Sequence, residues 1–231
     1  MTTPFKETIV IAMGGSLLVP ESVDVAFLKR LKHMMTKLLE EGYQVALIVG
    51  GGKVCRIYQD AARELGNQNH EDIDWIGIKT IHLNTELVLR SFYDLDVYPK
   101  VVLKAEDIRG IQNGIIVVGA WEPGKSSDAD AVEIARELGA SRIINFSNIS
   151  HVYSEDPRKN PHAEKFEKLS WSAYRKLIPE EWTPGLSAPF DPIASRLADE
   201  YGMQVVVLGA SLENLENFLS GEKFEGTVIG V

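Results

Sequence analysis

The sequence predicts an α/β fold: a three-layer αβα sandwich on a largely parallel sheet. Three observations carry that expectation. Short β-branched runs alternate with segments of helical apolar spacing along the whole chain. Several of these runs stop at glycine and pass at once into a helix. No internal repeat or low-complexity tract interrupts the alternation, and 231 residues, 45% of them hydrophobic, can bury a large core.

Thr8 to Met13 reads as the first strand and ends in Gly14-Gly15-Ser16. From Val25 to Leu39, apolar residues including Phe27, Leu28, Leu31, Met34, Met35 and Leu38 recur at three- and four-residue steps between Lys and Glu, an amphipathic helix that Gly42 closes. The strand Tyr43 to Val49 then stops at Gly50-Gly51-Gly52, and a helix over Lys53 to Leu65 follows directly. This β-α-β-α start predicts neighbouring parallel strands with a right-handed crossover. Residues without a Cβ permit positive φ and let a phosphate reach successive N–H groups at the positive end of a helix. A sharp βα turn with no ligand is the alternative reading of the same three glycines.

Asn67 to Asp74 is polar and turn-like, and Trp75 to Phe92 reads as a long helix. Ile76, Leu83, Leu87 and Leu89 are available for packing, while Lys79, His82 and Asn84 can face a cleft; a lone histidine such as His82 reads first as a solvated position. Val101 to Leu103 and Gly114 to Val118 are short strands, the second ending at Gly119. In W-E-P-G-K-S-S-D the Pro-Gly pair makes a turn, and Ser126, Ser127 or Asp128 can cap the helix Ala129 to Leu138, which Gly139 ends.

Arg142 to Phe146 is the next strand, and S-N-I-S-H-V-Y leads into the polar S-E-D-P-R-K-N-P. Glu164 to Leu169 and Ser170 to Leu177 are helical or mixed. Pro179 to Pro192 holds four prolines and one glycine, so it reads as a loop. Asp191-Pro192 opens a helix over Ile193 to Tyr201, Met203 to Leu208 is a strand, Leu212 to Leu219 a helix, and Gly226 to Val231 a closing strand.

Composition narrows the function classes. With 24 basic and 33 acidic side chains the net charge is -9, which argues against general attraction to nucleic acid or to an anionic membrane; an anionic substrate must be met locally. Cys55 is the only cysteine, which excludes an intramolecular disulfide and a cysteine-based zinc site, and fits a reducing compartment. The start M-T-T-P-F-K-E-T-I-V lacks a signal-peptide core, and no apolar run reaches membrane-spanning length, so the cytoplasm is the expected location.

The ordered set of motifs resembles the UMP kinases of the amino acid kinase family, closest to the archaeal-type branch. It comprises G-G-S after the first strand, V-G-G-G-K-x-x-R at the second, D-W-I-G-I with Asn84 downstream, P-G-K-S-S-D before a helix, S-N-I-x-x-V-Y-x-x-D-P, and D-P-I-A-S-R. The resemblance implies the amino acid kinase fold as a single domain with two lobes, 1–139 holding the acceptor UMP and 140–231 holding ATP. It also implies transfer of the γ-phosphoryl of ATP to UMP in pyrimidine nucleotide biosynthesis, Mg²⁺ carried by the nucleotide with no separate metal site, and a hexamer.

Residue by residue, the resemblance implies that Gly14, Gly15 and Ser16 border the transferring group, with Arg56 and Arg196 as further catalytic positions. Gly51 approaches UMP, and Gly52 and Arg56 contact phosphate on the ATP side. Asp74 takes the acceptor ribose, and Trp121, Glu122, Pro123, Gly124, Lys125, Ser126 and Ser127 surround its uracil and ribose. Ser147, Asn148, Tyr153 and Asp156 hold ATP. Without the surrounding motif, Tyr153 reads as strand packing and Asp156 as an Asp-Pro turn.

The chain departs from the family pattern at named positions. Ala12 stands where many members carry a lysine, Arg196 replaces a second lysine, and Ser150 and His151 replace Asp and Gly. Trp121 replaces a smaller polar residue, and His82 a common arginine. An arginine fork neutralises phosphate but is not a lysine point charge. These departures bear on turnover more than on nucleotide binding. They leave two alternatives open: a relative acting on carbamate, acetylglutamate or another phosphate, and a nucleotide-binding regulator without catalysis.

Overall fold

The structure is a computed structural model and describes residues 5–183, 186 and 188–231. The expectations on the first four residues, and on 184, 185 and 187 of the proline-rich loop, lie outside the described residues.

Strands and helices alternate as the spacing predicts. The first part runs β1 (Glu7–Met13), α1 (Gly15–Leu18), α2 (Val25–Glu40), β2 (Tyr43–Val49), α3 (Gly52–Glu64), α4 (His70–Ser91), β3 (Ile115–Val118) and α5 (Ser127–Leu138). Then follow β4 (Arg142–Phe146), β5 (Val152–Tyr153), β6 (Lys165–Phe166), β7 (Lys168–Leu169), α6 (Trp171–Tyr174), α7 (Pro192–Glu200), β8 (Gln204–Leu208), α8 (Leu212–Leu219) and β9 (Gly226–Ile229).

Seven strands form one sheet in the order β3-β2-β1-β4-β8-β9-β7. All pairs in it are parallel except β8 with β9, while β5 and β6 make a separate antiparallel pair. Because both faces are covered, the central strands are continuous apolar runs. Ile11, Met13, Leu47, Val49 and Phe146 pack on one face with Phe27, Leu31 and Met35 of α2 and Leu215 of α8. Val10, Ala12, Ile48 and Val207 pack on the other with Val132 of α5, Ala194 of α7, and Trp171, Tyr174 and Phe190. That is the three-layer sandwich. Local chemistry sets its boundaries: Asp24 caps α2 by accepting from Phe27 N at 2.8 Å, and Gly42 at φ +85° ends it.

Three expectations need correction. Helix α4 begins at His70, not Trp75, because Asn69 accepts from the N–H groups of Glu71 and Asp72 and those two acids favour the helix start. Asp74 therefore stands on a helix and not in a turn. Val101 to Leu103 is no strand but a single bridge, Val102 to Val118. Glu164 to Leu169 forms two-residue strands, since β5 pairs with β6 and β9 with β7, while Thr227 Oγ1 donates to Phe166 O between them.

Candidate active site

The candidate site lies where β1, β2 and β4 end together, at the carboxyl ends of the parallel strands. Gly50 N donates to Met13 O at 3.0 Å, Gly14 N to Phe146 O at 2.9 Å, and Ser147 N to Leu208 O at 3.0 Å, so the turns after these strands are tied in a row. The two glycine turns interlock. A Cβ on Gly15 would stand 2.2 Å from Gly50 O and 2.4 Å from Gly52 N, and Gly52 takes φ +67°. Gly51 is at φ -78°, so the left-handed residue of the triplet is Gly52 alone. Asn84, buried on α4, donates to Gly50 O and Gly51 O at 3.0 and 3.1 Å and holds the turn from behind. The leading N–H groups of α3 have no intrahelical acceptor and open onto this turn.

Two cations stand in the first two turns of α3. Lys53 is paired with Glu21. Arg56 is exposed and has no carboxylate partner among the described residues, which leaves its fork available to a phosphate. Ser16 is half-buried within α1.

Helix α4 runs along the segment that joins β3 to α5. Asp74 Oδ2 accepts from Gly124 N at 2.7 Å, with Gly124 at φ +92°, and His82 Nε2 meets Ala120 O at 2.8 Å. His82 is thus a partly buried contact to this loop and not a solvated position. Burial raises the Asp74 carboxyl, and the Gly124 bond pulls it back. Leu83, expected to pack, is 67% exposed, because it faces away from both the sheet and this loop.

Lys125 is occupied. Its ammonium lies 2.8 Å from Glu122, 2.9 Å from Glu133 and 3.2 Å from Asp130, and 4.2 Å from the centre of the Trp121 ring. Burial lowers the Lys125 pKa, but the three carboxylates outweigh it and hold it above the usual lysine range. Burial pushes Asp130 up to about 8 against the pull of Lys125.

Ser126 caps α5 through the N–H groups of Asp128 and Ala129 and donates to Asp191, which itself caps α7. Asp191 N in turn donates to Asp128 Oδ2 at 3.2 Å. The starts of α5 and α7 are thereby joined. Burial and the neighbouring Asp191 charge push Asp128 well above the usual carboxylate range; burial raises Asp191 too, opposed by its bonds to Ser126, Ala194 and Ile193. Arg196 is exposed, donates to Glu180 O at 3.2 Å, and lies near enough to Asp191 to favour its charge. Ser127 is the first residue of α5.

On the other side of β1, Ser147 accepts from Ile149 N at 3.3 Å and Asn148 is exposed. Ser150 Oγ bonds Tyr153 OH at 3.1 Å and His151 Nδ1 at 3.2 Å, and burial lowers the His151 pKa. Asp156 accepts from Arg158 through Nε, Nη2 and the backbone, which holds its carboxyl below the usual range. A cavity of about 400 Å³ opens beside Ser150, lined further by Gly209, Ser211, Glu213, Asn217 and Glu225. These last five were missed from sequence. The signal was present: β8 ends at Gly209 and Ser211 caps a helix, the strand-glycine-helix pattern seen three times earlier.

The sequence model of the Amino acid kinase family matches residues 7–209. The chain is 34% identical to the uridylate kinase of Pyrococcus abyssi, over 96% of this chain and 98% of that protein. It is 32% identical to the uridylate kinase of Staphylothermus marinus, over 97% and 99%. Among solved structures, the uridylate kinase of Archaeoglobus fulgidus superposes with a TM-score of 0.82 at 28% identity, covering 96% of this chain and 99% of that one. The UMP kinase of Bacillus anthracis shares the fold, with a TM-score of 0.81 over 98% and 96% at 19% identity. A parallel sheet with interlocked glycine turns at the carboxyl ends of its strands and a family match over residues 7–209 lead to one conclusion: the chain belongs to the amino acid kinase family.

Proposed function

We propose that the protein transfers the γ-phosphoryl group of ATP to UMP, giving ADP and UDP. The observation that carries this reading is the end-to-end match to uridylate kinases, 34% identical over 225 residues to that of Pyrococcus abyssi. The interlocked glycine turns supply the physical basis, with an acceptor side at Asp74 and residues 121–127 and a donor side at Ser147 and the 400 Å³ cavity.

Phosphoryl transfer needs alignment of two oxygens and positive charge on the equatorial oxygens, and little covalent chemistry. Gly14, Gly15 and Ser16 border the moving group, Gly51 approaches UMP, and Gly52 and Arg56 bind phosphate. The second oxygen of Asp74 accepts from ribose hydroxyls. The cavity, with Ser147, Asn148, Tyr153 and Asp156, takes the donor. Arg196 neutralises charge at the start of α7. UMP needs no base, since its phosphate is already ionised. Mg²⁺ arrives on ATP. It would offset the negative charge of the triphosphate. We further propose an acceptor lobe over 1–139, a donor lobe over 140–231, a place in pyrimidine nucleotide synthesis, and a cytoplasmic location, for which the lone Cys55 speaks. A hexamer is consistent with Ile57, Tyr58 and Leu65, exposed on and beside α3.

The test is an acceptor screen with ATP-Mg against UMP, CMP, dUMP, carbamate and acetylglutamate, read as ADP release. UMP should give the highest kcat/KM. Ala12 favours a second reading, nucleotide binding without turnover. Binding of both nucleotides by calorimetry with no UMP-dependent ADP release would establish that reading and end the first.

A further inference from the structure

We propose that Tyr174 and Asn145 are positioning residues: together they clamp the three residues that precede α7, and so set where Arg196 meets the phosphates of the donor nucleotide. This rests on the reading above, in which Arg196 neutralises charge at the start of α7, and adds to it the groups through which the fold places that arginine.

Pro189, Phe190 and Asp191 belong to no strand or helix, yet Phe190 is wholly buried and Asp191 nearly so. Buried main-chain groups outside regular structure must find partners elsewhere. From Pro189 O to Asp191 N, each of them is met by a side chain. Asn145 Nδ2 donates to Pro189 O at 2.6 Å, and Phe190 N donates to Tyr174 OH at 2.7 Å. The same hydroxyl donates to Phe190 O, and Asp191 N donates to Asp128 Oδ2 at 3.2 Å. One phenol thus serves both polar groups of one residue, as the opposite residue of an antiparallel ladder would.

The clamp is anchored in the interior. Tyr174 is fully buried, its ring edge-on to that of Trp171 with centroids 6.1 Å apart, and Trp171 Nε1 donates to Met203 O at 3.1 Å. Asn145 is buried on β4, the middle strand of the seven, between Ala12 of β1 and Val207 of β8. A polar group at such a place is costly unless it is bonded, and its amide is spent on Pro189.

What the clamp holds is the seat of α7. Asp191 caps that helix through Ile193 N and Ala194 N at 2.7 and 3.0 Å. Arg196 follows five residues on, about 7.5 Å along the axis. Its side chain is exposed, no carboxylate pairs with it among the described residues, and it donates only to the Glu180 carbonyl at 3.2 Å. Its charge therefore remains for a phosphate, while its position is inherited from the helix start. Phosphoryl transfer rewards charge that is already in place, and a displacement of about 1 Å is costly. Loss of the clamp should fall on the donor side and on the transfer step.

The test uses the full chain with Tyr174→Phe, Asn145→Ala, Arg196→Ala, and each of the first two combined with Arg196→Ala. It measures kcat and KM for UMP, ATP-Mg affinity by calorimetry, and Tm. Tyr174→Phe keeps the ring and removes only the hydroxyl. It should lower kcat about tenfold, as should Asn145→Ala, with KM for UMP within about threefold. Added to Arg196→Ala, either change should cost no more than about twofold further, because the clamp acts through that arginine. ATP-Mg affinity should show the same coupling, falling about three- to tenfold with Tyr174→Phe when Arg196 is present and hardly at all when it is absent. A lower Tm with kcat and ATP-Mg affinity unaltered, or equal losses with and without Arg196, would overturn the proposal and leave Tyr174 as a packing residue. If Tyr174→Phe does not fold, Asn145→Ala and its combination with Arg196→Ala decide alone. Coupling in ATP-Mg affinity without any UMP-dependent ADP release would leave the proposal standing and remove only the kinase reading, whereas no ATP-Mg binding by the unmodified protein would end both.

Discussion

Replacing Gly52 by alanine attacks the interlock of the two glycine turns directly. The new Cβ would stand 2.5 Å from Gly15 O, 2.6 Å from Gly15 C and 3.0 Å from Ser16 N, all backbone atoms. A carbon and a carbonyl oxygen normally approach no closer than about 3.3–3.6 Å, so the turns must separate by nearly 1 Å. Alanine at φ +67° costs about 1–2 kcal/mol and the overpacking about 1–3 kcal/mol, together roughly 2–5 kcal/mol. For a chain of this size that lowers Tm by on the order of 10 °C. On the proposed function these atoms border the transferring group, so a shift of about 1 Å should also cost on the order of 10²-fold in kcat. Thermal unfolding and coupled ADP release measure the two effects. Gly14→Ala is the stability control: Gly14 has φ -59°, and its Cβ would meet Ser147 Cβ at an ordinary 3.5 Å, so Tm should move by no more than about 2 °C. A Gly52→Ala protein that melts like Gly14→Ala and keeps its turnover would refute the interlock.

Asn84→Ala should lose about 1–3 kcal/mol in urea unfolding, since it leaves Gly50 O and Gly51 O without their buried donor; a change under about 0.5 kcal/mol would show that another donor serves them. Arg196→Ala should lower kcat by on the order of 10²-fold with UMP affinity retained, and Arg196→Lys should keep much of the rate, whereas twofold changes in both would mark a solvated side chain. The Asp130 carboxyl is raised from its unfolded value to about 8, so the folded state holds a proton that the unfolded chain releases. Its contribution to stability is therefore present below the unfolded pKa and is lost as pH rises through the folded one, with a slope of at most about 1.4 kcal/mol per pH unit. Asp130→Asn should flatten the fall of Tm with pH over that window, and an unaltered slope would show that Lys125 keeps the carboxylate ionised.

Much of the fold was legible because the forces that set it act locally. The spacing of Phe27 to Leu38 places α2, and the β-branched run Tyr43 to Val49 matches β2 residue for residue. Helix α8 matches the expected Leu212 to Leu219 end to end. The start of α4 was misplaced because the polar run from Asn67 to Asp74 reads as a turn, whereas Asn69 caps the helix through the N–H groups of Glu71 and Asp72. His82 reads as solvated until Ala120 O, 38 residues away, is brought to it.

The sequence by itself determined the order of strands and helices, the positions of the glycine turns and the motif set that marks the family, because periodicity, capping and the missing Cβ of glycine act within a few residues. It also implied Asp74 and the 121–127 loop together as an acceptor side, and they touch through Gly124, 50 residues on from Asp74. Only the tertiary structure decided which charges remain for a ligand. Lys125, expected beside the acceptor's uracil and ribose, is consumed by Glu122, Asp130 and Glu133, while Arg56 stays open. Asp128 meets Asp191 from 63 residues away. The physical reason is that a charge is neutralised, buried or left exposed by groups that chain connectivity does not place near it, and burial depends on the whole packed interior.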